Sequence, residues 1–571
     1  MPEKKIKRLS YGNSNFSSIR EENYYYVDKT RFIELLENET NKYQFFIRPR
    51  KFGKSLFFSV LDHYYDLNKA KDFEALFGDL YIGKNPTHRH NSYLMMLFDF
   101  SGMNTSSEEE FKISFSRNVQ ATVRHFINDY SSLFPESKMF IQQIDTEKPG
   151  IDALRIAYDA ADAAGKKIFV IIDEYDHFAN DLIAMRNRVG NDIYKQMVHA
   201  NGLVRDFYET LKIATKNVLD RIFITGISPV MLDDLTSGFN IAANLTLDLQ
   251  YNEMMGFTQS EVDTLMVETG VDPACINVDI QTYYDGYLFH KEGENSVYNP
   301  AMILYFFDQI LKERKAPENI IDDNLKTDYG RLQRLTQNER NRDRLIQIVK
   351  DEGITTTIIR KFSIDNLTDD DYFVSLLFYM GLLTIKRPYF SQVFLGIPNY
   401  SVKTLYWEYI SRLTRETSNL TLETQLLNEA IIAMAMEGDV HRYIDYVSQN
   451  AFSKLSDRDL KKFDEKYIQI LLLAYLFQSH IYIPMSEYEA TPGYTDIYLQ
   501  RNPNLPQVKY EWILELEYCK TGEEKEVPHK REEGMAQLHQ YLHSHRLNER
   551  PDMKAAVVVF IGKNQFEITE V

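Results

Sequence analysis

Four short runs rich in aromatic and β-branched residues punctuate the first part of the chain: Tyr43-Ile47, Tyr93-Phe98, Ile168-Ile172 and Arg221-Thr225. Longer stretches with apolar positions at helical spacing separate them. This alternation, over residues 1–235, predicts an α/β domain with a parallel sheet covered by helices. From 236 to 460 the spacing is mostly helical, as in LTDDDYFVSLLFYMGLL and TQLLNEAIIAMAMEGDVHRYIDYV, and convincing strands are few. We read a helical lid over 236–400 and a helical connector over 401–460. Residues 461–571 change pattern again. A helical run, Phe463 to Phe477, precedes the β-rich segments YTDIYLQ, YEWILELEY and AAVVVFIG, with a helix between the last two. The order helix-strand-strand-helix-strand predicts a second, C-terminal α/β domain.

Composition narrows the picture. At 571 residues the chain is too long for one hydrophobic core. Its 44% hydrophobic and 26% charged residues suit folded domains with a soluble surface. The longest apolar run, Ile470 to Phe477, is too short to span a bilayer, so neither secretion nor membrane insertion is expected. Cys275 and Cys519 are the two cysteines, which excludes a disulfide framework and fits a reducing cytoplasm. A formal charge of −18 repels a polyanion at long range, so any nucleic-acid contact requires a local basic groove.

The candidate chemistry begins in KYQFFIRPRKFGKSLFFSV, residues 42–60. Gly53-Lys54-Ser55 stands between a strand and a helical pattern. There backbone N–H groups and the helix N-terminus can cradle a phosphate, Lys54 can reach its outer oxygens, and Ser55 can ligate Mg2+. The general pattern wants glycine where Arg48 stands, before Pro49, Arg50, Lys51 and Phe52. A bare Gly-Lys-Ser also arises by chance, as a lysine-bearing turn. A second element, Ile168 to Ile172 followed by Asp173 and Glu174, has the form of a strand delivering a magnesium-binding Asp173 and a water-polarising Glu174. Its bland reading is a buried strand capped by solvated acids. A third strand ends in Thr225, a candidate sensor of the γ-phosphate at the carboxyl edge.

RPRKFGKS, Tyr26-Val27-Asp28-Lys29-Thr30, VIIDEYD and FITGISP together resemble the AAA-ATPase-like family of bacterial proteins. GFTQSEV at 256–262, YYDGYLF at 283–289 and VYNPAMIL at 297–304 are similar to that family's lid segment. The resemblance implies a P-loop fold that binds ATP and Mg2+ through residues 48 to 56, Arg48 to Leu56, with Asp28 beside the nucleotide. Asp28 or Thr30 as a helix N-cap is the alternative. The family's arginine donated between subunits implies a homo-oligomer, with Arg205 and Arg221 as candidates beside their reading as salt-bridge residues.

Near the C-terminus, Asp496 opens one strand, and Glu515 and Glu517 share a face of the next. Acids at alternate strand positions also make an ordinary solvated face. The segments Ser486-Glu487, Gly493-Tyr494-Thr495-Asp496, Trp512 to Leu516 and Ala536-Gln537-Leu538 are similar to the PD-(D/E)XK nuclease domain that often follows this ATPase-like domain. The resemblance implies Mg2+ or Mn2+ held by Glu487, Asp496 and Glu515, and a nucleic-acid substrate. It also wants lysine two residues after Glu515, where Glu517 stands, with Lys520 three residues further on. The chain therefore reads as an ATPase coupled to a metal-dependent nuclease. The alternative is a nucleotide-gated binding or assembly module whose nuclease domain is degenerate. A third reading is an ATPase that remodels protein.

Overall fold

A computed structural model of the chain describes residues 6–146, 150–179, 181, 194–198, 202–231, 239–317, 319, 321–322, 332, 335–336, 338–362, 370–418, 423–455, 464–490, 493–543, 552–563 and 565–571. It divides into two compact units, Met1–Arg344 with Gly353–Asn399, and Leu345–Glu352 with Tyr400–Val571.

The first unit is built on a parallel sheet of five strands. These are β1 (Tyr43–Ile47), β2 (Leu94–Asp99), β3 (Ile168–Asp173), β4 (Leu219–Gly226) and the short β5 (Ala243–Asn244), in the order β2-β3-β4-β1-β5. Strands β1, β3 and β4 are apolar nearly throughout because helices cover both faces. The register sets Phe46 beside Thr225 and Ile47 beside Gly226, while Ile172 pairs with Ile224. The ends of β1 and β3 therefore reach the same edge with β4 between them.

Arg48, the residue after β1, is almost fully buried. Its guanidinium donates to the carbonyls of Ile47 at 2.9 Å, Thr246 at 2.8 Å and Tyr251 at 2.8 Å. It lies between two rings, 4.1 Å from the Phe46 centroid and 3.9 Å from that of Phe289. Five fixed donors and a planar cation suit this position, and a lysine ammonium would satisfy neither the fork nor the stack.

Residues 236–400 are not wholly helical. They include an antiparallel sheet of β6 (Gly353–Thr356), β7 (Thr384–Tyr389) and β8 (Gln392–Gly396), in the order β6-β8-β7. Tyr389 pairs with Gln392 across the two-residue turn Phe390-Ser391, and Phe390 adopts φ 51° with 91% of its surface exposed. Such turns usually announce themselves with Asn or Gly, which tolerate positive φ. Phenylalanine gives no such signal.

The second unit carries a mixed sheet of β9 (Tyr482–Ala490), β10 (Gly493–Arg501), β11 (Glu511–Cys519), β12 (Met553–Ile561) and β13 (Gln565–Glu570), ordered β13-β12-β11-β10-β9. The β11–β12 pair is parallel, its crossover being the helix Val527–Leu542. Strands β9 and β13 add to the expected order. Both are edge strands, where Pro484 and alternating acids are tolerated and the apolar signal is weak. The helix Glu465–Gln478 is buried from Tyr467 to Leu476. Among the described residues no helix is long and apolar enough to cross a membrane.

Replacing Arg48 with Met fills its volume but leaves three buried carbonyls without their cationic donor. Arg48→Met is expected to cost about 3 kcal/mol of stability, read as a lowered urea midpoint. An unchanged midpoint would show that the clamp contributes nothing.

Candidate functional sites

At the end of β1 the chain turns through Lys51 at φ 64° and Gly53 at φ 93°, and the helix Lys54–Tyr65 begins. Gly53 is required by that backbone, since an L side chain is strained there whatever space surrounds it. The Lys54 ammonium is buried and donates to the carbonyls of Arg48 at 2.9 Å and Pro49 at 2.8 Å. The next residue closes the arrangement, because Ser55 Oγ donates to Asp173 Oδ2 at 2.9 Å. Burial pushes Asp173 up to about 6, with the Ser55 hydrogen bond and the Lys54 charge opposing it.

Glu174 adopts φ 49°, which turns the chain sharply at the end of β3. Its carboxylate meets His177 Nδ1 at 2.8 Å, and that contact holds it below the usual carboxylate range. Beside these groups opens a cavity of about 540 Å³. Arg50 to Leu56 form one wall and Glu174 and His177 another, with Tyr25 to Val27 and Met254 to Phe257 among the other lining residues. That volume suits a nucleotide-sized ligand.

The structure does not gather every sequence candidate into this cavity. Arg48 serves the clamp already described. Phe52, although on the cavity wall, is almost fully buried, edge-on to Tyr287 and Phe289 at 5.0 and 5.6 Å between ring centroids. Pro49 packs close to Gly381, whereas Arg50 lines the cavity and offers its carbonyl to Asn299 Nδ2 at 3.3 Å. The Asp28 carboxylate accepts from Thr30 N and Oγ1 at 2.9 and 2.6 Å and from Tyr81 N at 2.8 Å, bracing a turn. Thr225 is fully buried, and its hydroxyl donates to the Phe46 carbonyl. Its register partner on β1 thus takes the group proposed as a sensor. Arg205 pairs with Glu209 at 2.9 Å, and Arg221 donates to the carbonyls of Leu36 and Glu37.

Asp176 escaped the sequence reading. It is fully buried, and its carboxylate accepts from Ile227 N at 3.1 Å and from Ser228 N and Oγ at 2.8 Å. It thereby ties the turn after β3 to the loop after β4. Lys29 is also held firmly, with its ammonium 2.6 Å from Glu261 and 3.0 Å from the Glu253 carbonyl. Glu261 closes the capping box of the helix Gln259–Thr269.

The second candidate site lies on β10 and β11. Asp496 Oδ2 accepts from Leu516 N at 2.8 Å, which fixes the acid against β11. Gln469, from the buried helix Glu465–Gln478, donates to the Asp496 carbonyl at 2.6 Å. Glu515 is 4% exposed, and its Oε2 is buried without a hydrogen-bond partner. Desolvation and the neighbouring Asp496 push its carboxyl up to about 9. Glu517, also buried, meets Lys530 Nζ at 2.9 Å.

Lys520 is exposed beyond the end of β11, and its backbone N–H donates to Glu523. Gln537 is exposed on its helix. Glu487 belongs to β9, and its side chain falls outside the described residues. Among the described residues no three His, Cys, Asp or Glu side chains converge closely enough to hold a metal ion. Glu465, at the start of the buried helix, is a further acid near Glu517 and Lys530. Its sequence signal was only an acid in a first helical turn.

Residues 10–236 match the family described as predicted AAA-ATPase, and residues 463–570 match the PD-(D/E)XK nuclease superfamily. The chain is 27% identical over 306 residues to an uncharacterized protein in the vnfD 5′ region of Azotobacter chroococcum. That alignment covers 53% of this chain and 52% of the relative, so the chain spans about half the length of the curated relative it matches. A Walker-type ATPase of Pyrococcus abyssi, PABY2304, overlaps 66% of this chain and 94% of its own at 14% identity and TM-score 0.36. The ORC1 protein of Aeropyrum pernix, solved in complex with DNA, overlaps 67% and 93% at 10% identity and TM-score 0.25. The two family matches fall on the two sheets that carry the candidate sites, and the chain joins an AAA-ATPase-like domain to a domain of the PD-(D/E)XK nuclease superfamily.

Proposed function

We propose that the first unit binds and hydrolyses Mg2+-ATP and that the C-terminal domain is a metal-dependent nuclease acting on nucleic acid, gated by the nucleotide. The observation that carries the first half is the 2.9 Å bond between Ser55 and Asp173 beside the Lys54 ammonium. A hydroxyl from the first turn of the helix Lys54–Tyr65 and an acid at the end of β3 meet as the two groups that hold magnesium beside a bound nucleotide do in P-loop enzymes. A bound triphosphate would take the Lys54 ammonium from the Arg48 and Pro49 carbonyls. Ser55 and Asp173 would hold the metal, which supplies charge neutralisation between the outer phosphates. Glu174 would orient the attacking water, with His177 fixing its rotamer. An arginine from a second copy would complete charge stabilisation, which makes a homo-oligomer part of the proposal.

For the second half, the orphaned oxygen of Glu515 is the supporting feature. Buried polar atoms are rarely left without a partner, and a divalent cation is one such partner. Asp496, Glu515 and Glu487 would hold Mg2+ or Mn2+, which supplies Lewis-acid activation of the phosphodiester. Burial and the neighbouring Asp496 push this carboxyl up towards its neutral form, so metal uptake would be coupled to proton release. The free thiols Cys275 and Cys519 suit a cytoplasmic setting.

Lys54→Ala should abolish ATP binding measured by calorimetry, whereas Glu174→Gln should bind ATP normally and hydrolyse it at least about 100-fold more slowly. Hydrolysis surviving Lys54→Ala would reject the ATPase reading. Glu515→Gln or Asp496→Asn should remove nucleic-acid cleavage in Mn2+ and leave ATP turnover intact. Cleavage that persists in both variants would reject the nuclease assignment.

A further inference from the structure

The PD-(D/E)XK pattern places a lysine two residues beyond its glutamate, and here that position is Glu517. We propose that Lys530, from the helix Val527–Leu542, supplies the missing ammonium and that Glu517 is the arm that holds it at the site. The proposal rests on reading the β11 face as a nuclease site, and it replaces Lys520 as the source of the cation.

The helix explains how the lysine arrives. Val527, Gly534, Leu538 and Tyr541 are its buried positions, and Lys530 falls in the same stripe, three residues after Val527 and four before Gly534. A lysine in an apolar stripe needs a partner, and Glu517 provides one at 2.9 Å. Gly534 brings the helix close to the sheet. A Cβ there would meet Val557 Cγ1 at 2.7 Å and Glu517 Cγ at 3.6 Å, so the Lys530 stem starts one turn away from direct helix–strand contact.

The two partners of this pair differ in exposure, as do those of Arg501–Glu511 and Arg89–Glu37. The Glu517 side chain is 7% exposed and that of Lys530 is 35% exposed. Here the carboxylate is enclosed while the ammonium keeps a solvent-facing side, where a phosphate oxygen can approach. A glutamate side chain plus one hydrogen bond reaches about as far from β11 as a lysine side chain at the same position would. The ammonium thus stands near where the pattern wants it, delivered from the opposite side. Glu533, at 3.8 Å, is a second and weaker neighbour of the same ammonium. In this arrangement Lys530 donates to a non-bridging oxygen of the scissile phosphate, and Glu517 orients the donor without touching the substrate.

The test uses the full chain with labelled DNA and RNA, following cleavage in Mn2+ and binding by anisotropy in Ca2+. Lys530→Met should lower cleavage at least 100-fold, weaken binding about tenfold and reduce the salt slope by about one phosphate contact. ATP turnover should be unchanged. The variant Glu517→Lys/Lys530→Met returns a lysine to the strand and should recover cleavage to within tenfold of the original. A purely structural role cannot produce that rescue, because the ion pair is absent from the double variant. Wild-type cleavage in Lys530→Met, or a double variant that melts normally but does not cut, overturns the proposal. An unaltered protein that neither binds nor cuts any of these probes overturns the nuclease reading itself and takes the Lys530 proposal with it.

Discussion

The Arg48 guanidinium is buried, paired with no acid among the described residues and held by three main-chain carbonyls and the faces of Phe46 and Phe289. Two of those carbonyls, of Thr246 and Tyr251, belong to the segment after β5, and Phe289 lies further along the chain. Arg48 thus pins the end of β1 to the residues that follow the sheet. Its own carbonyl in turn accepts the Lys54 ammonium. One residue therefore fixes the floor of the loop that turns through Gly53 into the helix Lys54–Tyr65. The glycine expected at this place in the general pattern would leave the floor unbuilt.

Much of this was legible in the sequence, for a definite reason. Strands of a covered parallel sheet are apolar on both faces, so β1, β3 and β4 appear as continuous runs whose ends can be read directly. Gly-Lys-Ser after one run and Asp-Glu after another then identify Ser55 and Asp173 as residues of the same edge. The sequence does not show a side chain's partner when that partner lies on a neighbouring strand. Thr225 sits near the end of β4, but its register with Phe46 gives the hydroxyl a backbone carbonyl to bond. Asp176 follows the acidic pair by two residues and carries no local signal of its partner. Only the fold shows it reaching the 227–228 backbone.

The C-terminal sheet illustrates a second limit. β11 was recognisable because its acids interrupt an apolar run at alternate positions. β9 and β13 were not, since edge strands need no apolar alternation on both faces. The link between Glu517 and Lys530 spans a strand end, a turn and one helical turn, and no local spacing encodes it. Glu465 and Gln469 likewise reach the site from a helix read only as a run of apolar residues.

A count of ionisable residues suggests that a polyanion meets strong repulsion at this protein, yet the β11 face is far less negative than that tally. Glu515 keeps its proton near neutrality, and Glu517 is compensated by Lys530. A phosphodiester strand approaching this face therefore meets a local potential in which Glu515 and Glu517 weigh less than their formal charges, whatever the sum over the whole chain.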